Sequence, residues 1–140
     1  LNQSIVTKLQ KDPAHTWDIK LKTVQSDKIR KGNNVVAFIN NNAATTIVLG
    51  AHYDHLGYGE DNNSRYTGTA AIHNGADDNA SGTAALLELA RILKANGSKK
   101  SNYLFIAFSG EELGLYGSKY YIDNPTVSLT TINFMINMDM

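Results

Sequence analysis

From residue 45 onward, short apolar runs alternate with amphipathic stretches. Thr45-Thr46-Ile47-Val48-Leu49-Gly50-Ala51 and Tyr103-Leu104-Phe105-Ile106-Ala107-Phe108 are unbroken runs of strand length, the pattern of strands buried on both faces. Between them, residues 83–95 place Leu86, Leu89, Ala90 and Leu93 on one stripe. That stripe starts after Ser81-Gly82 and stops at Asn96-Gly97, which predicts an α-helix. Residues 115–122 predict a second helix closed by Asn124-Pro125, and residues 131–138 a last strand that delivers Asp139. This order predicts an α/β fold, a mixed and largely parallel sheet with helices on both faces.

The first third of the chain is less regular. Ile5, Val6 and Leu9 give residues 1–14 a helical pattern that ends at Asp12-Pro13. Trp17, Ile19, Leu21 and Thr23 alternate with polar residues, and Val35 to Ile39 follow a polar connection, so residues 17–40 predict an antiparallel strand pair. Residues 57–75 are rich in Gly, Asn, Asp and Thr with no apolar period. A loop of that length inside a compact domain is usually functional or disordered. The organisation is therefore a helical segment over 1–14, the strand pair over 17–40 and an α/β core over 45–140.

Composition narrows the chemistry. In 140 residues, 13 Lys and Arg balance 13 Asp and Glu, which leaves no basic footprint for nucleic acid or an anionic membrane. No apolar stretch approaches the roughly 20 residues of a membrane-spanning helix. The absence of cysteine excludes disulfides, thiolate metal sites and a Cys nucleophile. The chain opens on Leu1 without a charged segment leading into an apolar one, so its start reads as processed or cut.

Three predicted strands end on side chains that can bind metal: the first on His52 and Asp54, the second on Glu111 and Glu112, the third on Asp139. In open α/β sheets ligands bind beyond the carboxyl ends of the strands, so these groups converge on one crevice. Asp77 and Asp78 join them from the start of the predicted helix. So many carboxylates raise one another's pKa unless a cation compensates. Carboxylates with imidazole and no thiolate suit zinc, manganese or cobalt in a catalytic site, and more than three carboxylates suggest two ions and metal-assisted hydrolysis. Taken singly, the motifs have plainer readings. His52-Tyr53-Asp54 can be a hydrogen-bonded pair, and Glu111-Glu112 can complement a helix dipole. In Gly75-Ala76-Asp77-Asp78-Asn79-Ala80-Ser81-Gly82, small residues flank two acids, which points to a constrained turn and an N-cap.

In order and spacing, His52-Tyr53-Asp54, the 75–82 segment, Ser109-Gly110-Glu111-Glu112-Leu113-Gly114-Leu115-Tyr116-Gly117-Ser118 and Asn137-Met138-Asp139-Met140 closely resemble the co-catalytic zinc aminopeptidases of peptidase family M28. The resemblance runs from about residue 45 to the last residue. It implies a phosphorylase/hydrolase-like zinc peptidase architecture and two zinc ions. His52 and Asp139 would bind the first, Asp78 would bridge, and Glu112 would bind the second. Glu111 would be the general base, and Asp54 would orient His52 through its other ring nitrogen. The implied substrate is a peptide with a free N-terminus, and the implied location is periplasmic or secreted. The family's second zinc takes a further His from beyond the Asp139 position. His15, His55 and His73 do not stand at that place in the motif order, and His55 and His73 read as loop or pocket-rim residues. The chain therefore reads as the N-terminal part of a truncated catalytic domain whose C-terminal half is missing. It is expected to show little turnover alone and to leave an exposed sheet edge at 131–138.

Other readings compete. His52-Tyr53-Asp54-His55 matches half of a metallo-β-lactamase-like pattern, but Gly50 stands where its first His belongs. A glutaminyl-cyclase-like enzyme would use one zinc in the same fold. A carboxypeptidase of the same superfamily would need a cationic pocket, for which Arg65 alone is too little. A non-catalytic binding domain would have lost ligands or the base, which this chain keeps. Tyr53, Tyr58 and Tyr66 can line a rim, and Asp77 can serve only to shape the turn.

Overall fold

The computed structural model describes residues 3–11, 20, 22–24 and 29–140. The chain divides into two units, residues 1–30 and 31–140. In the first, α1 (Gln3–Lys11) occupies the middle of the predicted helical segment, with Lys8 and Lys11 in its last turn where they complement the helix dipole. Of the first strand of the pair predicted over 17–40, Trp17, Ile19 and Leu21 lie outside the described residues, and residues 20 and 22–24 are not in a strand.

The second unit is a four-stranded sheet, β1 (Val35–Ile39), β2 (Thr46–His52), β3 (Asn102–Phe108) and β4 (Ile132–Asn137), in the spatial order β1-β3-β2-β4. β2 runs parallel to both β3 and β4. β1 is antiparallel, and its partner is β3, with Val35 opposite Ala107 and Ile39 opposite Tyr103. The strand predicted over 35–39 thus forms, paired across the sheet with β3. β4 lies at an edge among the described residues, with Phe134, Met135 and Ile136 each about half exposed.

Two helices cover opposite faces, as the apolar periods require. α2 (Ala80–Asn96) packs Leu86, Leu89, Ala90 and Leu93 against Leu49, Ala51, Tyr103 and Phe105. On the other face, Tyr121 of α3 (Tyr116–Asp123) packs against Val48, Leu104, Ile106 and Phe108. Alternate residues of β2 and β3 therefore serve different cores, which is why both strands read as continuous apolar runs. Burial of each large apolar side chain is worth about 1.5–3 kcal/mol. Leu104 is fully buried in the centre of β3, and its truncation to Ala should cost about 2–5 kcal/mol.

α2 begins three residues earlier than its apolar stripe. Asn79 caps it, the side-chain oxygen accepting the Gly82 N–H at 3.1 Å, so Ala80 rather than Thr83 opens the helix. Residues 53–79 carry neither helix nor strand, in line with the predicted loop. Among the described residues, no helix is long and apolar enough to cross a membrane.

Candidate metal centre

Because β2, β3 and β4 are parallel, their carboxyl ends lie at one edge of the sheet. His52, the last residue of β2, is 3% exposed. Its Nδ1 lies 3.0 Å from the Asp54 backbone carbonyl oxygen. A carbonyl only accepts, so Nδ1 carries the proton and Nε2 is left free to face the cluster. Nε2 lies 3.0 Å from Asp78 Oδ1 and 3.0 Å from Asp139 Oδ1. Asp78 precedes α2 and Asp139 follows β4, so three elements each supply one donor. These donor atoms lie within 4.8 Å of one another, compact enough to hold one ion.

The ends of β4 and α2 are fastened together. Asn79 Nδ2 donates to the Met138 carbonyl at 2.8 Å while its oxygen caps the helix. The Met138 N–H donates to Gly50 at 2.9 Å, and Thr83 Oγ1 donates to the His52 carbonyl at 2.9 Å. A Cβ at Gly82 would lie 2.5 Å from the Met138 carbonyl oxygen, so glycine permits this approach of helix to strand.

Beyond β3, the chain turns sharply through residues 110–116, with Leu115 and Tyr116 N–H groups donating to Glu111 and Gly110 carbonyls at 2.9 and 3.0 Å. Asn34 holds the turn from outside, accepting from Ser109 N–H at 3.1 Å and donating to the Gly117 carbonyl at 2.8 Å. Asp54 holds it from inside: Oδ1 accepts the Glu111 N–H at 3.1 Å and Oδ2 the Glu112 N–H at 3.2 Å. The orienting bond to His52 thus comes from the Asp54 carbonyl, whereas the Asp54 carboxylate, 3.8 Å from Nδ1, is committed to the two glutamate amides.

Two groups of the centre titrate away from their ordinary values. Burial pushes the Glu111 carboxyl up; Asp139, Glu112 and Asp54 push it further, and His52 opposes them. Burial alone would lower the His52 imidazole, but the Asp54 carbonyl and the charges of Asp139 and Glu111 outweigh it, so its pKa is raised.

A second group of donors lies beside the first. His55 Nδ1, Asp78 Oδ1 and Glu112 Oε1 also lie within 4.8 Å of one another, so Asp78 belongs to both groups. The structure thus brings together His52, Asp78, Glu112 and Asp139, with Glu111 and Asp54 alongside, and adds His55, read from the sequence as a rim residue. Its signal, the position three residues after His52, becomes informative only once the 75–78 turn is folded against it. Asp77 is exposed, and its carbonyl accepts from Ser81 Oγ at 2.7 Å, a turn-shaping role. Tyr58 and Tyr66 line a cleft of about 250 Å³ with Asn62, Ser64 and His73. Tyr53 donates to the Asn33 carbonyl at 2.7 Å.

The donors fit divalent ions. His55 Nδ1, Asp78 Oδ1 and Glu112 Oε1 are buried atoms that make no hydrogen bond. Buried polar atoms left without a partner cost about 1–3 kcal/mol each, and a shared cation satisfies all three. Imidazole and carboxylate without thiolate is the donor chemistry of catalytic zinc.

The sequence model of Peptidase family M28 matches residues 34–140. Aminopeptidase YwaD of Bacillus subtilis (strain 168) is 48% identical over 69 residues, covering 47% of this chain and 14% of that protein. Two solved structures share 27% identity over 76% of this chain. One is a leucine aminopeptidase precursor from Bacteroides thetaiotaomicron, with a TM-score of 0.62 and 41% of that chain covered. The other is Porphyromonas gingivalis glutaminyl cyclase, with a TM-score of 0.63 and 40% covered. The chain thus spans less than half the length of each of these proteins.

Proposed function

The chain belongs to peptidase family M28, and on that premise we propose that its polar edge is the centre of a co-catalytic di-zinc exopeptidase, an aminopeptidase that hydrolyses the N-terminal peptide bond. The observation that carries this reading is the sharing of Asp78 by two donor groups, His52–Asp78–Asp139 and His55–Asp78–Glu112. His52 and Asp139 would hold one ion, Glu112 the other, and Asp78 both. When bound, such a pair lowers the pKa of water and polarises the carbonyl it attacks.

The remaining chemistry belongs to the chain's own side chains. Glu111, its pKa raised by burial and by neighbouring carboxylates, accepts a proton from the attacking water and returns it to the leaving amine. Asp54 keeps Glu111 in place by accepting its backbone N–H. Asp54, Asp78 and Asp139 pair with His52, and Glu112 pairs with His55. That excess of acid suits a substrate's α-ammonium group and disfavours a free C-terminal carboxylate, which argues for amino- over carboxypeptidase action. The glutaminyl cyclase among the structural neighbours marks the alternative, which in its mono-zinc form would need only the first donor group.

Asp78 and Asp139 are 43% and 38% exposed, so within these 140 residues the centre stands open to water. Electrostatic stabilisation is weaker in such a site, and slow turnover by this chain alone follows. The test is hydrolysis of an aminoacyl-arylamide and of its N-acetylated form by the purified chain, with and without zinc and chelator. The proposal expects slow, zinc-dependent release from the free amine alone. Equal cleavage of the acetylated substrate, turnover indifferent to chelator, or cyclisation of an N-terminal Gln peptide in its place would contradict it. The family's exported members give the further reading that the protein works in the periplasm or outside the cell. Fractionation of the native host tests this, and a cytoplasmic pool alone would refute it.

A further inference from the structure

We propose that the cleft between Tyr58 and Tyr66 is a subsite for one uncharged aromatic side chain of the peptide, from a residue flanking the scissile bond; the proposal rests on the peptidase reading above. The cleft, of about 250 Å³, is formed within residues 58–73. Sites that enclose a drug-sized ligand run to roughly 300–1,000 Å³, so this one takes a single side chain rather than a length of peptide. Gly68, Ala70 and Ala71 leave it room, while Tyr58 and Tyr66, each 60% exposed, give it aromatic surface. The Tyr66 ring lies against Gly68, where a Cβ would overlap the phenol, and it meets His73 edge-on at 6.3 Å.

The polar groups of the wall serve one another. Ser64 Oγ accepts the Tyr66 N–H at 3.1 Å and pairs with His73 Nε2 at 2.9 Å, and the His73 N–H donates to the Gly57 carbonyl at 2.7 Å. Among the described residues no Asp, Glu, Lys or Arg lines the cleft, and Glu60 turns back to accept the Tyr58 N–H at 2.9 Å. A charged side chain entering it would shed water for no ionic partner, whereas an aromatic ring meets ring faces and edges. Two contacts set the cleft beside the metal centre. His73 meets the His55 ring edge-on at 6.3 Å, and His55 Nδ1 lies 2.7 Å from Glu112 Oε1. Asn63, between two cleft residues in the chain, donates through Nδ2 to the Glu112 carbonyl at 3.2 Å. One imidazole therefore links the cleft to the donors, a span that a peptide covers within a residue or two at about 3.8 Å between Cα atoms. The side chains on both sides of the scissile bond come within that reach.

The test is zinc-dependent hydrolysis by the 140-residue chain of Phe-Ala, Lys-Ala and Glu-Ala and of Ala-Phe, Ala-Lys and Ala-Glu, which vary the first and the second residue separately. The expected result is a kcat/KM about 10-fold or more higher for Phe than for Lys or Glu at one of the two positions, the low end of what a side-chain pocket provides. Tyr66→Phe, which keeps the ring, should keep that ratio. Tyr66→Ala, which removes the ring, and Ala71→Phe, which fills the cleft, should bring it below about 3-fold. Tyr120→Ala, on the exposed side of α3, should leave it as it is. A ratio that survives both cleft variants, or hydrolysis without preference at either position, would overturn the proposal while the peptidase reading stands. The wild type decides the matter even if the variants fail to fold: NMR with Phe-Ala and Ala-Phe before turnover is appreciable should show nuclear Overhauser contacts from the phenyl ring to the rings of Tyr66 and His73, and their absence would overturn the proposal. Those contacts without any hydrolysis would overturn the peptidase reading and leave the cleft as a site for aromatic side chains. Neither contacts nor hydrolysis would overturn both.

Discussion

Glu111 stands just beyond β3 with its backbone N–H held by Asp54 and its carboxyl held above the ordinary 4.5, by burial first and by neighbouring carboxylates second. A carboxylate so placed is a stronger proton acceptor than one in water. Glu111→Gln keeps shape and loses basicity, so metal content measured by elemental analysis should be unchanged while kcat falls about 10²- to 10⁴-fold. The same shift leaves a mark on metal-free stability. For an acid whose folded-state pKa is raised, the stabilising contribution is complete below the unfolded value and is lost as pH rises through the folded one. His52 follows the same sign, its contribution present below 6.5 and lost above its raised value. In urea titrations with chelator, wild type should therefore lose ground relative to Glu111→Gln as pH rises from 4 towards 7; a gap independent of pH would remove this carboxyl from its buried, acid-crowded setting. His52, Asp78, Glu112 and Asp139 were legible in the sequence because each stands beyond a buried strand or before a helix stripe. His55 was not, because its partners arrive through Gly75, whose tolerance of φ +61° in contact with an imidazole has no linear signature.

The ends of α2 and β4 act as one piece. Asn79 caps the helix and grips the Met138 carbonyl, and Gly82 lets the two backbones meet. A methyl at Gly82 would press on backbone as well as on Asn79, so Gly82→Ala should cost about 1–3 kcal/mol in denaturant melts. It should also weaken zinc binding, because Asp78 and Asp139 flank the joint. Unchanged affinity with reduced stability would separate the joint from the metal centre. The Asp54 bracket makes a different prediction. In Asp54→Asn one amide acceptor becomes a donor facing an N–H, so the Glu111–Glu112 turn loosens, and kcat or zinc affinity should fall about 10- to 100-fold with the fold intact by circular dichroism. The helices and strands from residue 45 onward were legible from their periods to within a few residues. The start of α2 was misread because Asn79, outside the apolar stripe, decides it. The pairing of β1 with β3 was not legible, because it depends on contacts distant in the chain.

The parallel run of β2, β3 and β4 turns separate motifs into one edge of concentrated acid, and stability should therefore depend on metal. Ions that bind only the folded chain stabilise it by mass action, about 2.7 kcal/mol at a free concentration a hundredfold above Kd. Zinc should raise the melting temperature, and more so as pH rises through the His52 value, because Nε2 must shed its proton to bind. A zinc effect that weakens over that range would contradict the assignment of His52. The fold class was legible from the alternation of elements, and the crevice from the rule that ligands gather at carboxyl ends. The number of acids pointed to two groups of donors, whereas the place of His55 beside Asp78 depends on the folded turn. The most direct measurement is anomalous diffraction at the zinc edge from crystals of the zinc-loaded chain. The account expects one peak in contact with His52 Nε2, Asp78 and Asp139 and a second against Asp78 and Glu112. Zinc bound elsewhere, with these side chains turned apart, would contradict it.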